Sequence, residues 1–309
     1  MDGRLCAQGY REELSDDVQS PTVQLESVRI IMAVSAVRNW EFGVIDVSRA
    51  YLQSANLERE VYVRPPKGAE KNANTYWKAK KPLYGLSDST KNWTKTIQAW
   101  VESVGGKKTL SDAGAYVFTE FGSEKFYRIQ NDPKRHQMEK LKNEWQMPPD
   151  YDKNAQGGEV FGAITIHVDD ILYVGSTVFC QWFEKSIFEK FKCKSPTRND
   201  VKYLGMRIRK IRTHAKSGKT QFRIEIDGDG YENTLKTIPI TMARARETHS
   251  TLTEEEEGQF RMLLGQMMWA ARLSRSDIQA DVAHIAQVYK NNRILHDEYE
   301  EKELSLIHI

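Results

Sequence analysis

Asp169 and Asp170 stand side by side between two apolar runs, Ile164-Thr165-Ile166-His167-Val168 before them and Ile171-Leu172-Tyr173-Val174-Gly175 after them. Adjacent carboxylates repel each other unless a cation lies beside them or one of them takes up a proton. A distant apolar run, Phe42-Gly43-Val44-Ile45, delivers a further carboxylate, Asp46, at its end. Three carboxylates on two strand ends offer oxygen ligands to hard divalent cations, and a pair of such cations is the apparatus of metal-assisted phosphoryl transfer. The Asp pair alone fits an exposed surface turn better than a metal site, since Asp is common in turns; it is Asp46 that favours the metal reading. The oxygen preference of Mg²⁺ makes His167 a hydrogen-bonded bystander rather than a ligand.

These groups need elements to hold them. Ile164, Ile166 and Val168 alternate with Thr165 and His167, the period of a strand with one buried face, and 171–174 read as its return strand. Asp169 and Asp170 then fall at or beside a hairpin turn. Leu25, Val28, Ile31, Val34 and Val37 predict one apolar helix face within residues 20–39; Trp93, Ile97, Trp100, Val101 and Val104 predict another, ended by Gly105-Gly106. That aromatic stripe reads as core. Residues 60–64 and 77–81 read as short strands that stop at prolines. Phe179, Phe183, Ile187 and Phe191 mark a third helix. Leu204, Met206 and Ile208 alternate with Arg207 and Arg209; after a Ser217-Gly218-Lys219 turn signal, Phe222, Ile224 and Ile226 alternate again. The expectation is a hairpin with one apolar and one basic face. Thr253 and Glu256 can close a capping box ahead of a helix face of Phe260, Leu263, Leu264, Met267, Met268 and Ala271. Ser276-x-x-Gln279 predicts the start of a last helix, with Ile278, Val282, Ile285 and Tyr289 inside.

The chain of 309 residues is long enough to bury a substantial core, and its net charge of +2 does not by itself announce nucleic acid. The distribution says more: residues 190–223 hold twelve Lys or Arg and one acid, Asp200. The three cysteines, Cys6, Cys180 and Cys193, match neither a zinc spacing nor a disulfide framework. No apolar run reaches the roughly 18 residues of a membrane helix.

Three stretches occur in order: Asp46-Val47-x-x-Ala50-Tyr51-Leu52, Leu83-Tyr84-Gly85-Leu86-x-x-Ser89, and Val168-Asp169-Asp170. Together they resemble the first three catalytic motifs of reverse transcriptases from copia-type retrotransposons, and the resemblance extends over residues 4–290. It implies an α+β right-hand polymerase with an antiparallel palm sheet, partial fingers and a helical thumb. Residues 1–39 would be partial fingers; 40–123 palm and fingers; 124–160 a polar insertion with a helix near Lys134 to Trp145; 161–228 palm with the metal and primer-grip hairpins; 229–300 the thumb; and 301–309 a tail foreign to the fold.

The implied chemistry is addition of a deoxynucleotide to a primer 3′-hydroxyl, with two Mg²⁺ ions, replaceable by Mn²⁺, on Asp46, the Val47 carbonyl, Asp169 and Asp170. Lys194 matches the lysine that protonates the leaving pyrophosphate, although it could equally be one more solvated lysine. Tyr51 would stack under the sugar and exclude a 2′-hydroxyl, where bare periodicity suggests a core aromatic. Gly85 would let the backbone approach the nucleotide, and Arg4 would touch its triphosphate. Leu204, Gly205 and Arg207 match the primer grip; Gly265 and Trp269 resemble a thumb track along the template-primer. The implied partners are an RNA or DNA template with its primer and deoxynucleoside triphosphates, with ribonuclease H and integrase segments expected outside this stretch, in an intracellular setting (a cytoplasmic particle or the nucleus). The chain departs from the family at Ser87, Asp88 and Thr90, where Lys, Gln and Pro are usual, and at His167, where Tyr is usual. An acid at 88 would oppose a triphosphate, which points to the alternative of a catalytically degenerate nucleic-acid-binding remnant.

Overall fold

A computed structural model describes residues 5–12, 20–119 except 67, 70, 71 and 73, then 160–214, 220–246 and 252–291. Arg4, the insertion before residue 160 with its expected helix, the Ser217-Gly218-Lys219 turn and the 301–309 tail lie outside the described residues. The chain divides into two compact units, the first comprising residues 1–201 and 212–224 and the second residues 202–211 and 225–309. Both helices and antiparallel sheet are present, so the fold is α+β.

In the first unit, helix α1 (Leu25–Arg38) buries Leu25, Val28, Met32 and Ser35. This corrects the expected face: Val34 and Val37 are exposed. Steps of three residues fall about 60° short of a full turn each, so an unbroken +3 series winds off the buried side, whereas the 3-4-3 spacing stays on it. Strand β1 (Glu41–Asp46) follows, then the single turn α2 (Ala50–Gln53). Strands β2 (Val61–Val63) and β3 (Trp77–Ala79) form a separate two-stranded ribbon. Helix α3 (Ser89–Ser103) buries Trp93, Ile97, Trp100 and Val101, as its stripe predicts. It ends at Val104, and Gly105 takes the left-handed φ of 101° that glycine tolerates best.

Strands β4 (Lys107–Lys108), β5 (Ala115–Phe118), β6 (Gly162–His167), β7 (Asp170–Gly175) and, after helix α4 (Thr177–Lys190), β8 (Thr197–Arg198) complete the main sheet. Its order is β4-β5-β6-β7-β1-β8. The central pair is antiparallel and in full register, from Glu41 opposite Gly175 to Asp46 opposite Asp170. Helix α4 starts on a real cap, with the Ser176 hydroxyl accepting from the Phe179 N–H. Its Phe179, Phe183 and Ile187 meet Trp93, Trp100, Tyr116 and Phe118 in one buried cluster on the sheet. Edge-on aromatic contacts, such as Trp93 on Phe191 at 5.3 Å and Trp100 on Phe191 at 5.5 Å, organise this core.

Strand β9 (Asp200–Tyr203) leads to β10 (Met206–His214) and β11 (Thr220–Asp227) in a three-stranded sheet. Leu204 therefore does not belong to the alternating strand. With Gly205 it forms a two-residue connection in which both φ angles are positive, 53° and 78°, as tight hairpins require. Past Ile208 the expected alternation holds less well: Phe222 is exposed and Ile224 and Ile226 are half-buried. In the second unit the short helix α5 (Met242–Ala245) precedes α6 (Glu254–Leu273). The expected capping box closes on both sides: the Glu256 N–H donates to the Thr253 hydroxyl, and the Thr253 N–H donates to the Glu256 carboxylate. Helix α6 buries Leu264, Ala270, Ala271 and Leu273, whereas Met268 lies exposed and Phe260, Leu263 and Met267 half-buried. A 3₁₀ turn at Ser276–Ile278, not a capped α-helical start, leads into α7 (Gln279–Asn291), which buries Val282. The Tyr289 side chain lies outside the described residues.

Candidate active site

The sheet brings Asp46, Asp169 and Asp170 to one end of its central strands. Asp46 is the last residue of β1 and Asp170 the first of β7, and the two are cross-strand partners. Asp169 occupies the two-residue turn between β6 and β7, after Val168, with His167 paired to Asp170 on the other side. The Val47 N–H donates to the Asp169 carbonyl at 2.9 Å, so the turn is tied to the strand that carries Asp46. Lys194 arrives from the segment after α4: its N–H donates to the Asp46 carbonyl at 2.9 Å, and its ammonium lies 2.8 Å from the Asp46 carboxylate. Burial, together with the charges of Asp169 and Asp46, pushes the Asp170 carboxyl above the usual carboxylate range. The hydrogen bond to Asp46 makes the Lys194 ammonium harder to deprotonate than an ordinary lysine.

The fit of this set to a divalent cation can be judged from these contacts. The donors are all oxygen and carry more negative charge than Lys194 alone balances, which suits a hard cation. The side chains do not yet converge: among the described residues no group of three His, Cys, Asp or Glu is arranged to hold a metal ion. The Lys194 ammonium occupies the place of positive charge at Asp46.

Tyr51 on α2 packs its ring on Tyr84 at 4.7 Å and shares a hydrogen bond with Thr90 at 3.1 Å. Gly85 has a φ of 92°, and a Cβ there would lie 2.1 Å from the Ala7 carbonyl oxygen. The close approach this glycine permits in the structure is thus to the chain itself. Ser89 is buried and its hydroxyl donates to the Leu83 carbonyl, closing the turn before α3. The acid at 88 is not left to oppose an anion, as its sequence position suggests. Arg59 grips Asp88 with two hydrogen bonds of 2.8 and 3.0 Å and reaches Glu12 at 3.1 Å; Glu12 also accepts from the Ser87 N–H and hydroxyl.

Arg59 holds the Asp88 carboxyl below its usual range. Partial burial alone would raise Glu12, but the bonds from Ser87 and Arg59 outweigh it and hold that carboxyl low as well. Both carboxyls are therefore more acidic folded than unfolded, so their contribution to stability is present above pH about 4.5 and is lost as pH falls through the lowered folded values. Arg59→Ala should accordingly lower the Tm at pH 7, and the gap from wild type should close between pH 5 and 3. A gap that stays constant over that range in thermal melts would contradict this.

The residues expected to contact template-primer lie in the second unit. Gly205 faces Trp269 and Leu273, and these three line a cavity of about 270 Å³ together with Gly228, Asp229 and Tyr231. Trp269 is 43% exposed, so it is a cavity wall rather than a core residue. Arg207 is half-buried on β10, and Gly265 lies on an open face of α6, away from the cavity lining. The neighbouring Arg209, on the expected basic face, is paired with Asp227 at 2.7 Å and Glu225 at 3.3 Å.

Residues 1–129 match the family model described as reverse transcriptase (RNA-dependent DNA polymerase). The chain is 22% identical over 293 residues, 92% of its length, to the retrovirus-related Pol polyprotein from transposon RE2 of Arabidopsis thaliana. The chain is thus similar to the reverse transcriptase region of retrotransposon Pol polyproteins. Shorter matches agree: 31% identity over 37% of the chain to the Pol polyprotein from transposon RE1 of the same plant, and 30% over 40% to that from transposon TNT 1-94 of Nicotiana tabacum. The chain spans only 17%, 8% and 10% of these three relatives. Reverse transcriptases generally use divalent metals. No helix among the described residues is long and apolar enough to cross a membrane.

Two features of the site escape sequence reasoning. One is Arg59, which nothing in its own neighbourhood marks as the partner of Asp88. The other is the fully buried Trp93, whose indole N–H donates to the Val168 carbonyl at 2.6 Å.

Proposed function

We propose that this chain carries the nucleotidyl-transfer site of an RNA-directed DNA polymerase, adding deoxynucleotides to a primer 3′-hydroxyl on an RNA or DNA template. The observation that carries the reading is the register of β1 against β7, which sets Asp46 opposite Asp170 with Asp169 beside them. The six-stranded sheet would be the palm and helices α6 and α7 the thumb. Asp46, Asp169 and Asp170, with the Val47 carbonyl, would hold two Mg²⁺ or Mn²⁺ ions. When bound, these ions supply Lewis-acid activation of the attacking hydroxyl and charge neutralisation at the leaving phosphates.

The chain's own groups do the rest. Lys194 would neutralise and then protonate a departing pyrophosphate, although its hydrogen bond to Asp46 makes it a weaker acid than an ordinary lysine. Tyr51, braced by Tyr84 and Thr90, presents a flat ring to the sugar. Gly205 and Trp269 would face the template-primer. The basic residues of the β10–β11 hairpin would neutralise phosphates, so binding should weaken as salt is added.

The test is primer extension on poly(rA)/oligo(dT) with Mg²⁺ or Mn²⁺, beside Asp169→Asn. Extension that the substitution abolishes supports the reading. A second reading, a nucleic-acid-binding remnant without catalysis, is favoured by Lys194 holding Asp46 and by the unconverged carboxylates. It predicts no extension in either protein, with salt-sensitive binding of template-primer intact in both.

A further inference from the structure

We infer that Trp93 is a positioning residue for the carboxylate turn, acting through its indole N–H on the backbone that presents Asp169 and Asp170. The inference rests on the metal reading of those carboxylates and names a part of the chain that serves them.

Val168, the first residue of the turn, has a φ of 56°. A β-branched residue in the left-handed region is an outlier that persists only where surroundings impose it. Both peptide carbonyls of the turn are restrained. The Asp169 carbonyl accepts from the Val47 N–H at 2.9 Å, and the Val168 carbonyl accepts from Trp93 Nε1 at 2.6 Å. The indole itself has little freedom. Trp93 is fully buried, sits in the middle of the aromatic core and meets Phe191 edge-on at 5.3 Å.

One helix therefore braces both halves of the site. On α3, Thr90 holds the Tyr51 hydroxyl, and Trp93, three residues later on the same face, holds the turn before Asp169. A tryptophan there purely for packing would need only some partner for its N–H. This one spends that donor on the single strained residue adjoining the catalytic carboxylates. Groups that orient metal-binding side chains typically change metal affinity 10- to 100-fold when removed.

The experiment measures Mn²⁺ binding by electron paramagnetic resonance in the full 309-residue chain, for wild type, Trp93→Phe, Val168→Gly and the double variant, with Asp169→Asn as the site control. Phenylalanine keeps an aromatic ring in the core but has no N–H. Glycine removes the left-handed penalty, so the turn no longer needs the bond. The expected result is about tenfold weaker Mn²⁺ binding in Trp93→Phe, recovered to within about threefold in the double variant. Unchanged Mn²⁺ affinity in Trp93→Phe, with only a lower Tm, would show a packing role and overturn the inference. A loss that Val168→Gly does not repair would overturn it too. Should Trp93→Phe not fold, 3-benzothienylalanine at position 93, of indole shape with sulfur in place of N–H, is read in the same way. Wild type that binds no Mn²⁺ sensitive to Asp169→Asn would instead defeat the carboxylate reading itself, and this inference with it.

Discussion

Replacing Asp170 with asparagine is expected to reduce nucleotide addition by about 10²–10³-fold, while raising the Tm of the metal-free protein. The two effects have one cause. Burial, Asp169 and Asp46 all disfavour the charge of Asp170, and the positive groups nearby only partly offset them. A carboxyl whose folded pKa is raised binds its proton more tightly folded than unfolded. It thus weakens the fold once pH rises above the unfolded value near 4, and the cost is fully present above the folded value. Asparagine keeps the shape and deletes that cost at neutral pH. It also removes an oxygen anion that a divalent cation would need, and loss of one electrostatic contact to developing charge commonly costs about 10²–10³ in rate. Added Mg²⁺ should raise the Tm of wild type and leave the variant nearly unmoved. A variant destabilised in metal-free buffer would show that Asp170 is held by structural contacts, not strained by like charges. Activity retained within about tenfold would remove Asp170 from the site.

Much of this geometry was legible from local pattern. Period-two alternation located β6 and β7 and put Asp169 at the turn, because one buried face leaves a readable signature along a strand. The Thr253–Glu256 box was legible because its two hydrogen bonds join residues three apart. What local pattern could not reveal were pairings across the chain. Asp88 reads as an uncompensated acid until Arg59, 29 residues earlier, closes on it. Trp93 reads as one member of a core stripe, which it is, but its N–H serves a carbonyl 75 residues away. The turn at Leu204–Gly205 was hidden by apolar alternation that runs straight through it, since a leucine at positive φ carries no compositional warning. On α1 the error was one of period, a run of +3 steps mistaken for a helix face.

Gly43→Ala should cost about 3 kcal/mol of stability. Gly43 lies in the middle of β1, opposite Tyr173 on β7 and Arg198 on β8. A Cβ there would stand 2.1 Å from the Tyr173 hydroxyl and 2.7 Å from the Thr197 carbonyl oxygen. Neither can retreat cheaply. Tyr173 is fully buried and its hydroxyl donates to Glu184, which is itself gripped by Arg198. Burial and the neighbouring Glu184 push the phenol's pKa upward, so it remains a donor at any working pH. Moving the ring would leave the Glu184 carboxylate, buried to all but 8%, without that donor; moving Thr197 would detach β8 from the sheet edge. An unsatisfied buried group costs about 1–3 kcal/mol and overpacking a similar amount. The reduced freedom of the unfolded chain returns only about 0.4–1 kcal/mol. Tyr173→Phe removes the atom that the new methyl strikes first, so the Gly43→Ala/Tyr173→Phe double variant should be more stable than the sum of the single losses allows, by roughly 1 kcal/mol in a double-mutant cycle. Urea unfolding with unchanged m-values is the measurement. Strict additivity would mean that the strand shifts as a body and that the Tyr173 hydroxyl is not what the glycine accommodates.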